Sequence, residues 1–108
     1  KNWSLLTPET GDIRLTPCYD FVSSKLYLPG ELDSALPMVG KQNKLSRPDF
    51  EQFAKRLELD AKAASGAIST VVEAEPKFLG MINASLLSPQ RREQLAGTLS
   101  ERTSRLRS

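Results

Sequence analysis

Two oxygen-bearing side chains, those of Asn2 and Asp20, are candidate ligands for a metal ion. An amide oxygen and a carboxylate are hard donors, and Mg²⁺ commonly takes one or two such protein oxygens while phosphate and water complete its octahedron. If the chain brings the two side chains together, the chemistry to expect is phosphoryl transfer. Residue types alone favour another interpretation, in which Asn2 is merely solvated and Asp20 caps a turn, because both types are common where strands end.

The element that must bring these residues together is a predicted β-hairpin. Two short apolar runs are separated by a stretch rich in turn-forming residues, which is typical of two strands joined by a loop. If the loop is centred on Gly11, Leu5 lies opposite Pro17. The same antiparallel return places Asn2 near Asp20.

Composition excludes several classes of protein and site. With 108 residues, of which 39% are hydrophobic and 26% charged, the sequence is typical of one small globular domain, and no apolar run is long enough to span a bilayer. It contains no histidine, which removes the usual general base and every Ser-His-Asp or Cys-His site. Its one cysteine, Cys18, cannot form an internal disulfide and has no basic neighbour in sequence. We therefore expect a packed thiol and a cytoplasmic location.

Residues 21–45 are predicted to be irregular, because prolines and glycines interrupt every short apolar run. The segment directly follows Asp20, so two interpretations remain open: a substrate-facing or lid-like segment, and a structural wrap with one short strand over 35–39. Gly40-Lys41 does not form a phosphate-binding loop, since it lacks both the upstream glycine and a following serine or threonine.

Helical signals occupy the remainder of the sequence. Ser46, Asp60 and Ser88 are predicted N-caps, each followed by apolar residues at helical spacing. Pro76 is expected to end or kink the second of these helices, so the pattern that follows belongs to a kinked continuation or to a separate helix over 77–87. The prediction is a mainly α fold, with a small N-terminal β-hairpin followed by a helical bundle.

Basic residues are concentrated in the last predicted helix. Residues 88–108 contain five arginines and two glutamates, whereas residues 1–87 contain ten basic and eleven acidic residues. The arginines are Arg91, Arg92, Arg102, Arg105 and Arg107. A basic helix face could bind nucleic acid or an acidic partner, but such faces are usually only solvated, and this one has no interleaved aromatic residues to stack on bases. Direct nucleic-acid binding is therefore not expected.

Four motifs follow one another along the chain: K-N-W-S-L-L at 1–6, C-Y-D at 18–20, S-A-L-P-M-V-G-K-Q-N-K-L at 34–45 and R-P-D-F at 47–50. Together they resemble the C-terminal lobe of HipA-like serine/threonine kinases, which are the toxins of bacterial toxin–antitoxin systems. The resemblance covers essentially the whole chain and implies one lobe fragment, 1–108. Its parts would be a metal-ligand hairpin at 1–20, an irregular segment at 21–45 and a helical part at 46–108.

The resemblance also implies roles for individual residues. Asn2 would hold Mg²⁺ from the catalytic loop, and Asp20 would hold the Mg²⁺ that bridges the ATP phosphates. Lys1 matches the lysine that precedes this asparagine and is the third candidate cofactor-binding residue. The family's catalytic-base aspartate would precede Lys1, and the chain starts with Lys rather than Met, so we expect a piece of a longer protein. We expect this piece alone to contain no catalytic residue, to bind neither ATP nor Mg²⁺ and to be inactive.

The intact protein would, on this resemblance, phosphorylate a serine or threonine of a protein. Aminoacyl-tRNA synthetases are the known kind of target, and a HipB-like antitoxin would be the partner; no membrane association is expected. Two other hypotheses remain open: a non-catalytic helical module that binds protein or nucleic acid through its basic last helix, and a structural remnant without a function of its own. Apolar positions on several helix faces also leave self-association of the fragment open.

Overall fold

The structure is a computed structural model that describes residues 2–28 and 30–107. Within these ranges the strands are β1 (Leu5–Leu6) and β2 (Arg14–Leu15), and a 3-10 helix spans Ser24–Leu26. The α-helices are α1 (Arg47–Arg56), α2 (Ala61–Glu73), α3 (Glu75–Asn83) and α4 (Pro89–Arg107). The prediction of a mainly α fold with a small N-terminal hairpin is confirmed.

The hairpin forms, but its register differs from the prediction. Leu5 lies opposite Leu15 rather than opposite Pro17, so the loop is centred one residue before Gly11 and the predicted register is wrong. Gly11 ends the turn, since its amide donates a hydrogen bond to the carbonyl of Pro8 at 2.9 Å. Its φ of 82° lies in the left-handed region, which glycine adopts at little cost.

A tight turn takes the place of the short strand that one interpretation put at 35–39. Within the described part of 21–45 there is no strand, only an isolated bridge between Met38 and Lys41. The amide of each of these residues donates to the carbonyl of the other, at 2.8 and 3.0 Å. Val39 and Gly40 between them both have positive φ, 48° and 83°, as a type I′ turn requires. The chain therefore reverses before a strand can extend.

The predicted N-caps all precede helices. At the start of α1, the Asp49 carboxylate accepts hydrogen bonds from the amide and the hydroxyl of Ser46, each at 2.8 Å. At the start of α2, Oδ1 of Asp60 accepts a backbone amide hydrogen bond at 2.8 Å. The last helix, α4, begins directly after Ser88. These side chains satisfy amide groups that have no partner inside the helix.

The break between α2 and α3 decides between the two interpretations of Pro76. Because α2 ends at Glu73 and α3 begins at Glu75, the apolar pattern that follows Pro76 belongs to a separate helix. Pro76 lies in the first turn of α3, where the backbone N–H that proline lacks would have no helical partner anyway. The helix ends at Asn83, four residues before the predicted boundary.

The long helix α4 organises the packing. It contacts α1, α2, α3 and the 3-10 helix. In the part of the chain that the structure describes, the buried residues are Leu45, Ala54, Glu75 and Thr103. Cys18 is exposed, so the expectation of a packed thiol is wrong. Many large apolar side chains remain exposed, and a groove of about 560 Å³ beside α3 and α4 is lined mainly by apolar residues, of which Phe21, Phe78 and Met81 are exposed. Surfaces of this kind are commonly covered by other parts of a protein. Of the helices described, none combines the length and the apolar character needed to cross a bilayer.

Candidate functional site

The open end of the hairpin brings Asn2 and Asp20, the candidate ligands, into contact. Nδ2 of Asn2 donates a hydrogen bond to the backbone carbonyl of Asp20 at 3.0 Å. The two residues therefore meet, but through an amide nitrogen and a backbone oxygen, whereas the sequence had predicted that two side-chain oxygens would meet. Because this contact uses Nδ2, the atom of Asn2 that could bind a cation is Oδ1.

Two further contacts close the open end of the hairpin around the candidate ligands. Oγ of Ser4 lies 2.8 Å from the phenol oxygen of Tyr19. The rings of Trp3 and Phe21 meet edge to face, with centroids 6.5 Å apart and an interplanar angle of 88°. This arrangement of aromatic rings is favourable beyond the area that it buries. Each contact joins a residue near one candidate ligand to a residue next to the other, so three contacts in all position the pair.

The backbone of Asp20 has an uncommon conformation. Its φ of 57° lies in the left-handed region, which aspartate tolerates better than most other residues because its short side chain can form local hydrogen bonds. Holding a residue other than glycine there costs on the order of 1 kcal/mol, and such residues cluster at functional sites. Asp20 is also exposed, so its carboxylate is accessible to a ligand from outside the chain.

The donor set of the candidate ligands fits a magnesium ion. Both side chains offer hard oxygen atoms, and two protein oxygens are a usual number for Mg²⁺ bound together with a nucleotide. Across 2–28 and 30–107, no group of three or more histidine, cysteine or acidic side chains could hold a metal. A metal at this pair would therefore take its remaining ligands from phosphate, water or another part of the protein. Lys1, the third predicted cofactor-binding residue, lies outside the described residues.

The lysine of the Gly40-Lys41 pair forms a salt bridge within the fold. Its Nζ lies 2.7 Å from Oδ2 of Asp49 in the first turn of α1. Hydrogen bonds from Lys41 and then from Ser46 lower the pKa of Asp49 to about 2. This contact gives Lys41 a structural partner at the start of α1.

The structure contains a polar cluster that was not predicted from the sequence. Its centre is the carboxylate of Asp33, whose side chain is only 6% exposed. We call it the Asp33 cluster; its other members are Lys25, the backbone amide of Lys44, Arg102 and Arg105. Burial by itself would raise the pKa of Asp33, but hydrogen bonds from Arg105 and Lys25 and the charge of Arg102 outweigh it and lower the pKa to about 2. The carboxylate is therefore charged at neutral pH.

The five arginines of α4 all contact other parts of the chain. Arg102 and Arg105 belong to the Asp33 cluster. The other contacts are Arg91 above the ring of Tyr27 at 4.7 Å, Arg92 with the carbonyl of Asn83 at 2.8 Å, and Arg107 with the carboxylate of Glu75. The basic face thus has a role inside the fold, which a merely solvated face would not have. The concentration of arginines was visible in the sequence, but their partners were not.

Comparison with known proteins gives two findings. A model of the HipA-like C-terminal domain family matches residues 1–78, which include the hairpin, the irregular segment, α1 and α2. A protein named Putative kinase Y4dM, from Sinorhizobium fredii (strain NBRC 101917 / NGR234), is 33% identical over 75 residues, which are 68% of this chain and 18% of that protein. The matched part thus spans about a fifth of the length of this relative.

Proposed function

Because the chain belongs to the HipA-like C-terminal domain family, we propose that it is the part of a HipA-like serine/threonine kinase that supplies two Mg²⁺ ligands, Asn2 and Asp20. The observation that carries the proposal is the 3.0 Å hydrogen bond between these residues. It brings together two residues that are 18 positions apart in sequence and to which the family resemblance assigns the metal-ligand roles. Asn2 and Asp20 would hold the Mg²⁺, which when bound would neutralise the negative charge that develops during phosphoryl transfer.

The two residues contribute in different ways. The hydrogen bond from Nδ2 fixes the orientation of the Asn2 amide, so Oδ1 is held in place before any ligand arrives. The exposed carboxylate of Asp20 supplies the negative charge of the site. Catalysis of phosphoryl transfer is mostly positioning and electrostatic stabilisation, so bringing the residues that would hold the metal next to each other is the contribution that such a part can make.

The proposed reaction moves the γ-phosphoryl group of ATP to the hydroxyl oxygen of a serine or threonine in a protein. It also needs groups that cover the nucleotide and a base that takes the hydroxyl proton. We propose that other parts of the intact kinase provide both, so a polypeptide of these 108 residues has no kinase activity of its own. A protein substrate such as an aminoacyl-tRNA synthetase and a HipB-like antitoxin as the partner belong to the proposal through the family resemblance.

The arginine contacts speak against the hypothesis of a nucleic-acid-binding module. The ion pairs of Arg102 and Arg105 with Asp33 would have to open before these side chains could bind phosphates. Removing a partner from such a pair leaves an uncompensated charge in a partly buried place, which is costly. The kinase proposal needs no such rearrangement.

Two substitutions in the intact protein test the proposed function. Asp20→Asn removes the charge of one ligand, and Asn2→Ala removes the other ligand. We expect each to lower Mg²⁺-dependent transfer of labelled phosphate from ATP to a protein substrate by roughly a hundredfold or more, since losing one well-placed electrostatic group typically has an effect of this size. Circular dichroism should show an unchanged helical content.

Matched controls come from exposed residues of the same chain. Asp12→Asn makes the same charge change in the loop of the same hairpin, and Asn43→Ala removes an exposed amide. Both should retain the activity of the wild-type protein. Full Mg²⁺-dependent activity in Asp20→Asn or in Asn2→Ala would refute the assignment of that residue as a metal ligand.

A further inference from the structure

Salt bridges link the segment that follows Asp20 to the last helix, α4. Three residues separate Asp20 from the 3-10 helix Ser24–Leu26. Nζ of Lys25 in that helix lies 3.3 Å from the carboxylate of Asp33. The same carboxylate forms salt bridges with Arg102 and Arg105 of α4. One buried carboxylate thus links the 3-10 helix to α4, which is far from it in sequence.

The Asp33 carboxylate is fully engaged. Its Oδ1 accepts from Lys25 and, at 2.9 Å, from Nη2 of Arg102. Its Oδ2 accepts from Nη1 of Arg105 at 3.0 Å and from the amide of Lys44 at 2.8 Å. The two arginines are three positions apart on α4, a spacing that places both side chains on one face of a helix. Without the carboxylate, three cations would face one another across a partly buried space, so the link is costly to break.

A second contact fixes the orientation of the 3-10 helix on α4. Tyr27 is the C-cap of that helix, and the guanidinium group of Arg91 lies over its ring, 4.7 Å from the centroid. Such a cation–π contact is favourable. Arg91 and Arg102 are eleven positions apart, or about 16 Å along the helix axis. The 3-10 helix is therefore attached to α4 at two places, through Asp33 and through Arg91.

We propose that Asp33 is a positioning residue for the candidate ligand Asp20, and that the Asp33 cluster is the latch by which α4 holds the segment after Asp20 in place. The inference rests on the proposed function, because it assigns the latch to the metal site. The short tether of three residues limits how far Asp20 can move while the 3-10 helix is held. Helix α4 lies beyond residues 1–78, so the latch uses an element that the family match does not include.

A latch of this kind should act on metal binding more than on the chemical step. A misplacement of about 1 Å in a catalytic group can cost a hundredfold in rate, and groups that orient metal ligands typically contribute 10–100-fold to affinity or activity. Loss of the latch should therefore raise the Mg²⁺ concentration needed for half-maximal activity, while saturating Mg²⁺ restores much of the rate. A residue that served only general stability would lower the melting temperature without this change.

The test compares Asp33→Asn, Asp33→Glu and the milder Arg102→Gln with wild type in the intact protein. Phosphoryl transfer is measured against Mg²⁺ concentration, and hydrogen exchange is measured without nucleotide. Asp33→Asn is expected to raise the half-maximal Mg²⁺ concentration about tenfold and to speed amide exchange in residues 24–28 and at Lys44. Asp33→Glu keeps the negative charge and should partly restore the wild-type Mg²⁺ requirement and the wild-type exchange rates. Arg102→Gln should change both quantities in the same direction as Asp33→Asn but less, and it serves as the test if Asp33→Asn does not fold.

The outcomes separate the latch from the proposed function. An unchanged Mg²⁺ requirement together with unchanged exchange in folded Asp33→Asn, or in Arg102→Gln where Asp33→Asn does not fold, overturns the latch. If Asp20→Asn keeps full activity, the metal assignment itself is wrong. If Asp20→Asn is inactive while the Asp33 and Arg102 variants behave like wild type, only the latch fails. Asp12→Asn, which changes an exposed carboxylate of the hairpin loop, should match wild type throughout.

Discussion

Asp33→Asn should remove a pH-dependent part of the stability of this chain. The pKa of Asp33 is lowered from 3.8 to about 2 in the folded state, so the folded chain binds fewer protons at this residue than the unfolded chain does between these values. The stabilisation is therefore complete above the unfolded pKa of 3.8 and is lost as pH falls through about 2. At about 1.4 kcal/mol for each pKa unit, it amounts to about 2 kcal/mol. The side chain is only 6% exposed, so solvent screens little of it.

Urea unfolding followed by circular dichroism at several pH values between 2 and 7 measures this effect. The free-energy difference between wild type and Asp33→Asn should be about 2 kcal/mol larger at pH 7 than at pH 2. Taking the difference between the two proteins cancels the contributions of Asp49 and Glu75, whose pKa values are also lowered. Asp12→Asn, in the exposed hairpin loop, should follow the wild-type profile. A free-energy difference between wild type and Asp33→Asn that does not vary with pH would show that the ionised Asp33 carboxylate does not stabilise the fold.

Two further predictions concern backbone conformation and the contact between α3 and α4. Gly66→Ala should stabilise the chain by about 1 kcal/mol, because a Cβ at this position in the middle of α2 meets nothing within 4 Å. Gly11→Ala should destabilise the chain by about 1 kcal/mol, because the φ of Gly11 is 82°. Equal urea midpoints for the two variants would contradict both predictions. Glu75→Gln should lower the melting temperature, because hydrogen bonds from Ser100 and Thr103 and the charge of Arg107 stabilise the ionised carboxylate and lower its pKa; an unchanged thermal transition at pH 7 would count against that role.

The local features of the fold were predictable because they depend on residues close together in sequence. Ser46 and Asp60 act as caps through groups within three positions, so the types and their spacing are enough. Pro76 lacks an N–H, which allowed a break in the helix to be predicted although two outcomes stayed open. The element order and the mainly α class follow from these local signals.

The register of the hairpin was not predictable from the same pattern. It depends on whether Gly11 stands at the centre of the turn or at its end, and a glycine fits both places. The contact between Asn2 and Asp20 forms in spite of the shifted register. In the described part of the hairpin, the last ladder hydrogen bond before the open end runs from Thr16 to Ser4, and beyond it the side chain of Asn2 reaches the backbone of Asp20. The prediction that these residues meet was therefore more robust than the strand pairing from which it came.

The Asp33 cluster depends on contacts that no local pattern encodes. Arg102 and Arg105 are 69 and 72 positions from Asp33, and an aspartate in an irregular segment usually lies in solvent. Only the packing of α4 against the 3-10 helix brings the charges together. The sequence could therefore identify the candidate ligands through local motifs, but not the element that we propose to hold one of them in place.

Binding of Mn²⁺, a spectroscopic substitute for Mg²⁺, measures directly whether Asp20 is a metal ligand. The intact protein is titrated with Mn²⁺ in the presence of ATP, and bound and free ions are separated by electron paramagnetic resonance. If Asp20 is a metal ligand, Asp20→Asn should weaken binding by at least the roughly 10–100-fold that is typical when a group that orients a metal ligand is lost, while Asp12→Asn should bind as wild type does. Equal affinities for Mn²⁺ in wild type and Asp20→Asn would contradict the assignment of this hairpin as a magnesium site.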